Sequence, residues 1–133
     1  MRVRVLVVDD LQFMRELLCG ILSDAGADVV AEAEDGRAAL RRFLVHEPDV
    51  VLLDIAMPVM DGITTLRKIR MLEPRARVIM CSALGEQQLI VRAIQLGARD
   101  FVVKPFTPQR VVSAISKVLA ADRVERDALR VPA

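Results

Sequence analysis

Apolar residues in this chain fall into five short runs, separated by stretches with helical spacing. The runs are Arg4–Val8, Asp28–Ala33, Val50–Leu53, Val78–Cys81 and Phe101–Val103. Each is too short for a helix and most are rich in Val, Leu or Ile, so they read as strands covered on both faces. Asp28–Ala33 is the least apolar and is expected nearest an edge. The intervening segments repeat apolar residues every three or four positions. The first spans about Phe13–Ala25, with Leu17, Leu18, Ile21 and Leu22 on one face and Gly26 as its stop. The second starts near Gly36 and ends before Pro48. The third runs from about Thr64 to Leu72, ahead of Pro74. The fourth covers roughly Glu86–Leu96, with Gly97 just beyond. The fifth opens with Thr107 as N-cap and Pro108 at the first helical position. It turns Val111, Val112, Ile115, Val118 and Leu119 inward.

Strict alternation of strand and helix predicts an α/β fold, a (βα)5 doubly wound parallel sheet. Right-handed crossovers would put helices one and five on one face and helices two, three and four on the other. The chain has 133 residues, the size of one domain. That domain is expected over residues 1–121, with 122–133 a charged tail, a helix extension and then disorder. Hydrophobic content of 53% suits a two-sided sheet, and a net charge of +1 gives no electrostatic case for nucleic acid or an anionic membrane. Cys19 and Cys81 lack metal-ligand spacing and read as buried small hydrophobes in a reducing, cytoplasmic setting.

The chemistry lies where the strands end. Val5–Asp10 reads VLVVDD, and Val51–Gly62 reads VVLLDIAMPVMDG. In an open parallel sheet all strands end on one edge, where ligands bind. Asp9, Asp10 and Asp54 therefore meet there, and two carboxylates ~5 Å apart repel by about 3 kcal/mol at an effective dielectric of ~20. A hard cation with oxygen ligands relieves that repulsion, and Mg²⁺ is commonly held by carboxylates together with a phosphoryl group. Strand four ends in Ser82-Ala83 and strand five in Lys104-Pro105, adding a hydroxyl and an ammonium to the same edge.

Asp9-Asp10, Asp54 with Met57-Pro58 and Asp61-Gly62, Ser82-Ala83 and Lys104-Pro105 together resemble the signature of response-regulator receiver domains. The resemblance covers Arg2 to Ala121. VVAEAEDG at Val29–Gly36, MDGIT at Met60–Thr64 and MCSALGEQQLIVRAIQLGARDFVVKPF at Met80–Phe106 are similar to the single-domain chemotaxis members, those of Gram-positive and Thermotoga-type bacteria. Phe13-Met14-Arg15 fits the same group. The resemblance implies a flavodoxin-like strand order of 2-1-3-4-5. It implies that Asp54 accepts a phosphoryl group, that Asp10 and Asp54 bind Mg²⁺ directly and Asp9 through water, and that the Ala56 backbone carbonyl completes the ligands. Lys104 would pair with a phosphoryl oxygen, Ser82 would turn toward the phosphoryl group, and Phe101 would rotate inward after it. Lys104–Pro105 would be a cis bond. A partner face is implied at Gly85, Gln87, Ile90, Phe101, Val103 and Lys117. The resemblance also implies that positions 56 and 84 influence the hydrolytic water; Ala56 and Leu84 cannot hydrogen-bond it and Leu84 could cover its approach, so slow loss of the phosphoryl group is expected.

The implied partners are a sensor histidine kinase of the CheA type, a flagellar motor switch protein of the FliM/FliY type and an aspartyl-phosphate phosphatase of the CheC/CheX type. The protein is expected to be a cytoplasmic monomer, a stand-alone switch and not an enzyme. The alternative is a phosphorelay receiver in a non-motility pathway. A phosphoaspartate-forming phosphatase would need a second acid two residues after the first, and Asp54-Ile55-Ala56 lacks it. A flavodoxin would need a hydroxyl- and glycine-rich loop after strand one and aromatics for the flavin. The loop here is Asp-Asp-Leu-Gln, with 3% aromatics overall. His46 reads as a helix-end residue, and Arg123, Arg126 and Arg130 as a solvated face.

Overall fold

A computed structural model describes residues 2–128, with side chains to residue 123. Five parallel strands, β1 (Arg4–Val8), β2 (Asp28–Ala33), β3 (Val50–Asp54), β4 (Val78–Ser82) and β5 (Asp100–Val103), lie in the order β2-β1-β3-β4-β5. They alternate with α1 (Gln12–Asp24), α2 (Gly36–His46), α3 (Gly62–Leu72), α4 (Gln87–Gln95) and α5 (Pro108–Ala128). Every element begins and ends within two residues of its expected place, apart from the continuation of α5 to Ala128. The expected tail disorder concerns residues 129–133, and the expected solvation of Arg126 and Arg130 concerns side chains beyond residue 123. Both lie outside the described residues.

The crossovers divide the core as right-handedness requires. One layer packs Met14, Leu18 and Leu22 of α1 and Val111, Ala114 and Val118 of α5 against Val5, Val7, Leu52 and Ile79. The other packs Phe43 of α2, Leu66 and Ile69 of α3, and Ile90 and Ala93 of α4 against Leu6, Val51, Leu53 and Met80. Three sequence expectations need correction. Leu17 is exposed, and Met14 takes the inward place, because positions 14, 18, 21 and 22 form the stripe facing the sheet. Val112 and Leu119 sit half-buried at the margins of the α5 stripe, with Ala114 at its centre. Cys81 is buried as expected, but Cys19 is only half-buried, and burial beside Glu32 pushes its thiol up to about 11.

The starts of α2 and α3 are capped by side chains. Asp35 accepts from the Ala38 amide at 2.9 Å and Asp61 from the Thr64 amide at 2.7 Å. The capping by Asp61 explains why α3 begins at Gly62, two residues before the apolar pattern suggests. Register then fixes the working edge. Val8 pairs with Leu53, Asp54 with Cys81 and Ser82 with Val103. Asp9, Asp54, Ser82 and Lys104 thus leave the sheet at one level. Among the described residues no helix is long and apolar enough to cross a membrane.

Candidate functional site

Four of the five strands deliver side chains to this edge. Asp9 and Asp10 follow β1, Asp54 closes β3, Ser82 closes β4 and Lys104 follows β5. One ligand atom from each of Asp9, Asp10 and Asp54 lies within 4.8 Å of the others. Asp9 is buried, Asp54 nearly so, and Asp10 reaches solvent. Lys104 Nζ sits 3.1 Å from Asp9 Oδ2 and 3.3 Å from Asp54 Oδ1. Three acids thus face one ammonium.

The electrostatics follow from that imbalance. Burial, and then the neighbouring Asp9, push Asp54 up to about 6, against the pull of Lys104. Burial alone would lower the Lys104 ammonium, but Asp54 and Asp9 outweigh it and hold its pKa above the ordinary lysine value. Two buried polar atoms here have no hydrogen-bond partner among the described residues: Asp9 Oδ2 and Ser82 Oγ. The ammonium approaches Asp9 Oδ2 within ion-pair distance without hydrogen-bond geometry. A buried polar atom left unpaired costs about 1–3 kcal/mol.

Backbone detail holds Asp54 in place. The Gly62 amide donates to the Ile55 carbonyl at 2.8 Å, and a Cβ at Gly62 would run into the Asp54 carbonyl oxygen and Ile55 Cα. Glycine is therefore required for this close approach. Between them Val59 adopts φ 68°, a left-handed conformation that a β-branched residue rarely takes. The Lys104 amide donates to the Ser82 carbonyl at 2.7 Å, and the Lys104–Pro105 bond is cis.

Side chains that sequence reasoning passed over support the site. Asp9 Oδ1 accepts from the Leu11 amide at 2.9 Å, and Arg15 donates to the Asp9 carbonyl at 2.7 Å. Glu86 accepts from the Ala83 amide at 2.6 Å, closing the loop after Ser82. Arg110 donates to the Phe101 carbonyl at 2.5 Å, pairs with Asp100 at 3.4 Å and stands 5.9 Å over the Phe101 ring. Arg15 lies in the first turn after the acidic pair, a position that hints at its role. Nothing in the sequence couples Arg110 to Phe101.

Beside the acidic edge an apolar groove of about 470 Å³ is lined by Leu84, Gln87, Ile90, Val91, Phe101 and Val103, among others. Four residues of the expected partner face line it: Gln87, Ile90, Phe101 and Val103. Gly85 sits in the adjoining loop with φ 93°, and Lys117 is exposed on α5; neither lines the groove. Phe101 is half-buried against the core. Leu84 is 80% exposed and does not close over the acidic edge.

A family model for the response regulator receiver domain matches residues 5–116. The chemotaxis protein CheY of Bacillus subtilis is 52% identical over 116 residues, covering 87% of this chain and 97% of that protein. CheY of Thermotoga maritima is 48% identical over 115 residues, covering 86% and 96%. The crystal structure of the CheX–CheY–BeF3–Mg complex from Borrelia burgdorferi matches with a TM-score of 0.84 at 39% identity, over 88% of this chain and 89% of that one.

Proposed function

The chain belongs to the response regulator receiver family, and we propose that it is a CheY-like chemotaxis regulator switched by phosphorylation of Asp54. The observation that carries this reading is the meeting of Asp9, Asp10, Asp54 and Lys104 at one sheet edge, with more negative than positive charge. The partners proposed from the family are a CheA-type histidine kinase as donor and a FliM/FliY-type motor switch protein as target. The Borrelia neighbour is a complex with CheX, which supports a CheX-like phosphatase as the partner that resets the switch.

The donor set fits a divalent cation. Three carboxylates supply hard oxygen ligands, and Asp9 Oδ2 is buried with no hydrogen bond among the described residues, only the nearby Lys104 ammonium. Asp10 and Asp54 would hold Mg²⁺ directly, Asp9 through water, and the Ala56 carbonyl would join them. When bound, the ion neutralises charge on the carboxylates and the incoming phosphoryl oxygens.

The remaining work belongs to side chains. An Asp54 carboxylate oxygen forms a bond to phosphorus as the phosphorus–nitrogen bond of a phosphohistidine breaks. The departing imidazole takes up a proton from solvent. Lys104 offers a point charge to a phosphoryl oxygen and is released from part of its pairing with Asp54. Ser82 Oγ, buried and without a partner, turns to donate to another phosphoryl oxygen. Its movement opens room for Phe101, which reshapes the apolar groove that Phe101 itself lines. Phe101 has no hydroxyl to pin the inward state, so activation shifts populations. The chain acts by binding partners and turns over no substrate of its own.

Acetyl phosphate with Mg²⁺ tests the assignment. Intact mass should rise by one phosphoryl group in the wild type and not in Asp54→Asn, since an amide is no nucleophile. Equal incorporation in the variant would sink the proposal.

A further inference from the structure

Helices α2 and α3 present a surface of distinctive composition. Their sequences, GRAALRRFLVH and GITTLRKIRML, hold three basic residues each and no acidic one. Across the chain the charges nearly cancel, 19 Lys and Arg against 18 Asp and Glu. Arg42 and Arg70 donate to the backbone carbonyls of Glu32 and Pro74. Arg37, Arg41, Arg67 and Lys68 are exposed and enter no ion pair among the described residues.

The same outer face exposes four apolar side chains: Leu44 (60%), Val45 (75%), Met71 (82%) and Leu72 (49%). Their spacing to the basic residues repeats. Arg41 precedes Leu44 and Val45 by three and four positions, and Lys68 precedes Met71 and Leu72 in the same way. Residues so spaced share a helix face. Each helix therefore carries a cation one turn ahead of an apolar pair.

The two motifs also stand side by side. A Cβ on Gly36 would meet Thr65, so the helices approach closely there and their stagger is fixed. Leu44 lies eight residues beyond Gly36 and Leu72 seven beyond Thr65, which at 1.5 Å per residue brings them to one level. The valley between α2 and α3 thus has an apolar end and a basic end.

We propose that this α2–α3 face is a second docking surface that takes an acidic amphipathic helix from a partner protein. The partner's apolar residues would seat between Leu44 and the Met71–Leu72 pair, and its carboxylates would lie along Arg41 and Lys68. Charge complementarity selects the occupant: unpaired cations beside exposed apolar side chains match an acidic, apolar-striped segment. A ridge of side chains fits a valley between parallel helices, whereas a flat lipid surface would meet only the outermost side chains. The surface is separate from the acidic edge and from the α4–β5 groove, so the inference stands apart from the phosphorylation reading.

The test is a titration of the ¹⁵N-labelled full chain with a synthetic helical peptide carrying a leucine stripe flanked by glutamates. Saturable shifts should map to α2 and α3. The double variants Arg41→Glu/Lys68→Glu and Leu44→Ser/Met71→Ser, all at exposed positions, should each weaken binding by about tenfold or more. Unchanged circular dichroism would show that both variants remain folded. Shifts confined to the α4–β5 groove, equal binding by the charge-reversal variant, or equal binding of a lysine version of the peptide would each overturn the proposal. So would sedimentation with phosphatidylglycerol vesicles in the absence of peptide binding, which would make this a lipid surface. Self-association that disappears in Leu44→Ser/Met71→Ser would overturn it as well.

Discussion

Asp54 and Asp122 are both largely buried carboxylates beside cations, one at the end of the strands and the other near their beginning, and they are pushed in opposite directions. Asp54 shares one ammonium with Asp9, and burial with that second acid raises it to about 6. Asp122 lies between two guanidinium groups, those of Arg77 and Arg99. Burial alone would raise it, but hydrogen bonds from Arg99 and Arg77 outweigh burial and hold it below the ordinary carboxylate range. Arg77 also donates to the Asp49 carbonyl at 3.1 Å, which ties α5 to the start of β3. One end of the sheet carries unmatched charge and two buried polar atoms that make no hydrogen bond among the described residues. The other end is closed on itself. Unmatched buried charge is costly without a ligand, whereas matched charge needs none. The proposed cation and phosphoryl group would relieve that imbalance at the acidic end.

Breaking the closed end should have the largest effect on stability. Asp122→Ala leaves two partly buried guanidinium groups without their shared partner, and should cost about 2–3 kcal/mol in urea unfolding at neutral pH. The sign with pH follows from the depressed pKa. The contribution is complete above the unfolded carboxylate value of ~3.9 and disappears as pH falls through the lower folded value. Wild type and variant should therefore converge in acid. A difference that stayed constant into strong acid would assign the loss to packing.

Asp54→Asn should shift stability the other way. Without metal the folded pKa is raised from 3.8 to about 6. The charged form is thus disfavoured by folding, and the penalty is present above about 6 and absent below 3.8. At neutral pH in chelator the variant should be more stable by about 1–3 kcal/mol, since one pKa unit is ~1.4 kcal/mol. The advantage should vanish near pH 4. Added Mg²⁺ should stabilise the wild type by mass action and the variant less, narrowing the gap. A variant less stable than the wild type in chelator would show that Lys104 already compensates Asp54, and the contrast between the two ends would fail.

The two ends also differ in how readable they are. The acidic edge is legible because each contributing residue sits directly at a strand end, and parallel topology brings strand ends together whatever the side chains are. Asp122 reads as part of a charged tail, because a lone Asp among arginines on a helix looks solvated. Its partners are 45 and 23 residues away, and only the packing of α5 across β4 and β5 brings them to it. Arg110 over Phe101 is hidden for the same reason. Leu17 and Met14 exchange places because two apolar stripes one position apart look alike until the sheet selects one. Position along a strand is local information, whereas pairing across layers is not.

The smallest effect concerns how long a phosphoryl group would persist on Asp54. Hydrolysis needs a water in line with phosphorus; the family resemblance assigns influence on it to positions 56 and 84, and the residues there, Ala56 and Leu84, are both exposed. The resemblance leaves room for Leu84 to act as a cover. At 80% exposure it points into solvent beside the apolar groove, so any brake here comes from missing hydrogen bonds. Ala56→Asn with Leu84→Glu supplies an amide and a carboxylate that can orient the water. Both positions are open to solvent, so the gain should stay well below the ~10²-fold of a firmly held general base; about tenfold is expected. Phosphate release from purified, phosphorylated protein, followed with Mg²⁺ in excess, measures it. Release at the wild-type rate or slower would place the control of lifetime with Lys104 and the metal, on the acidic edge itself.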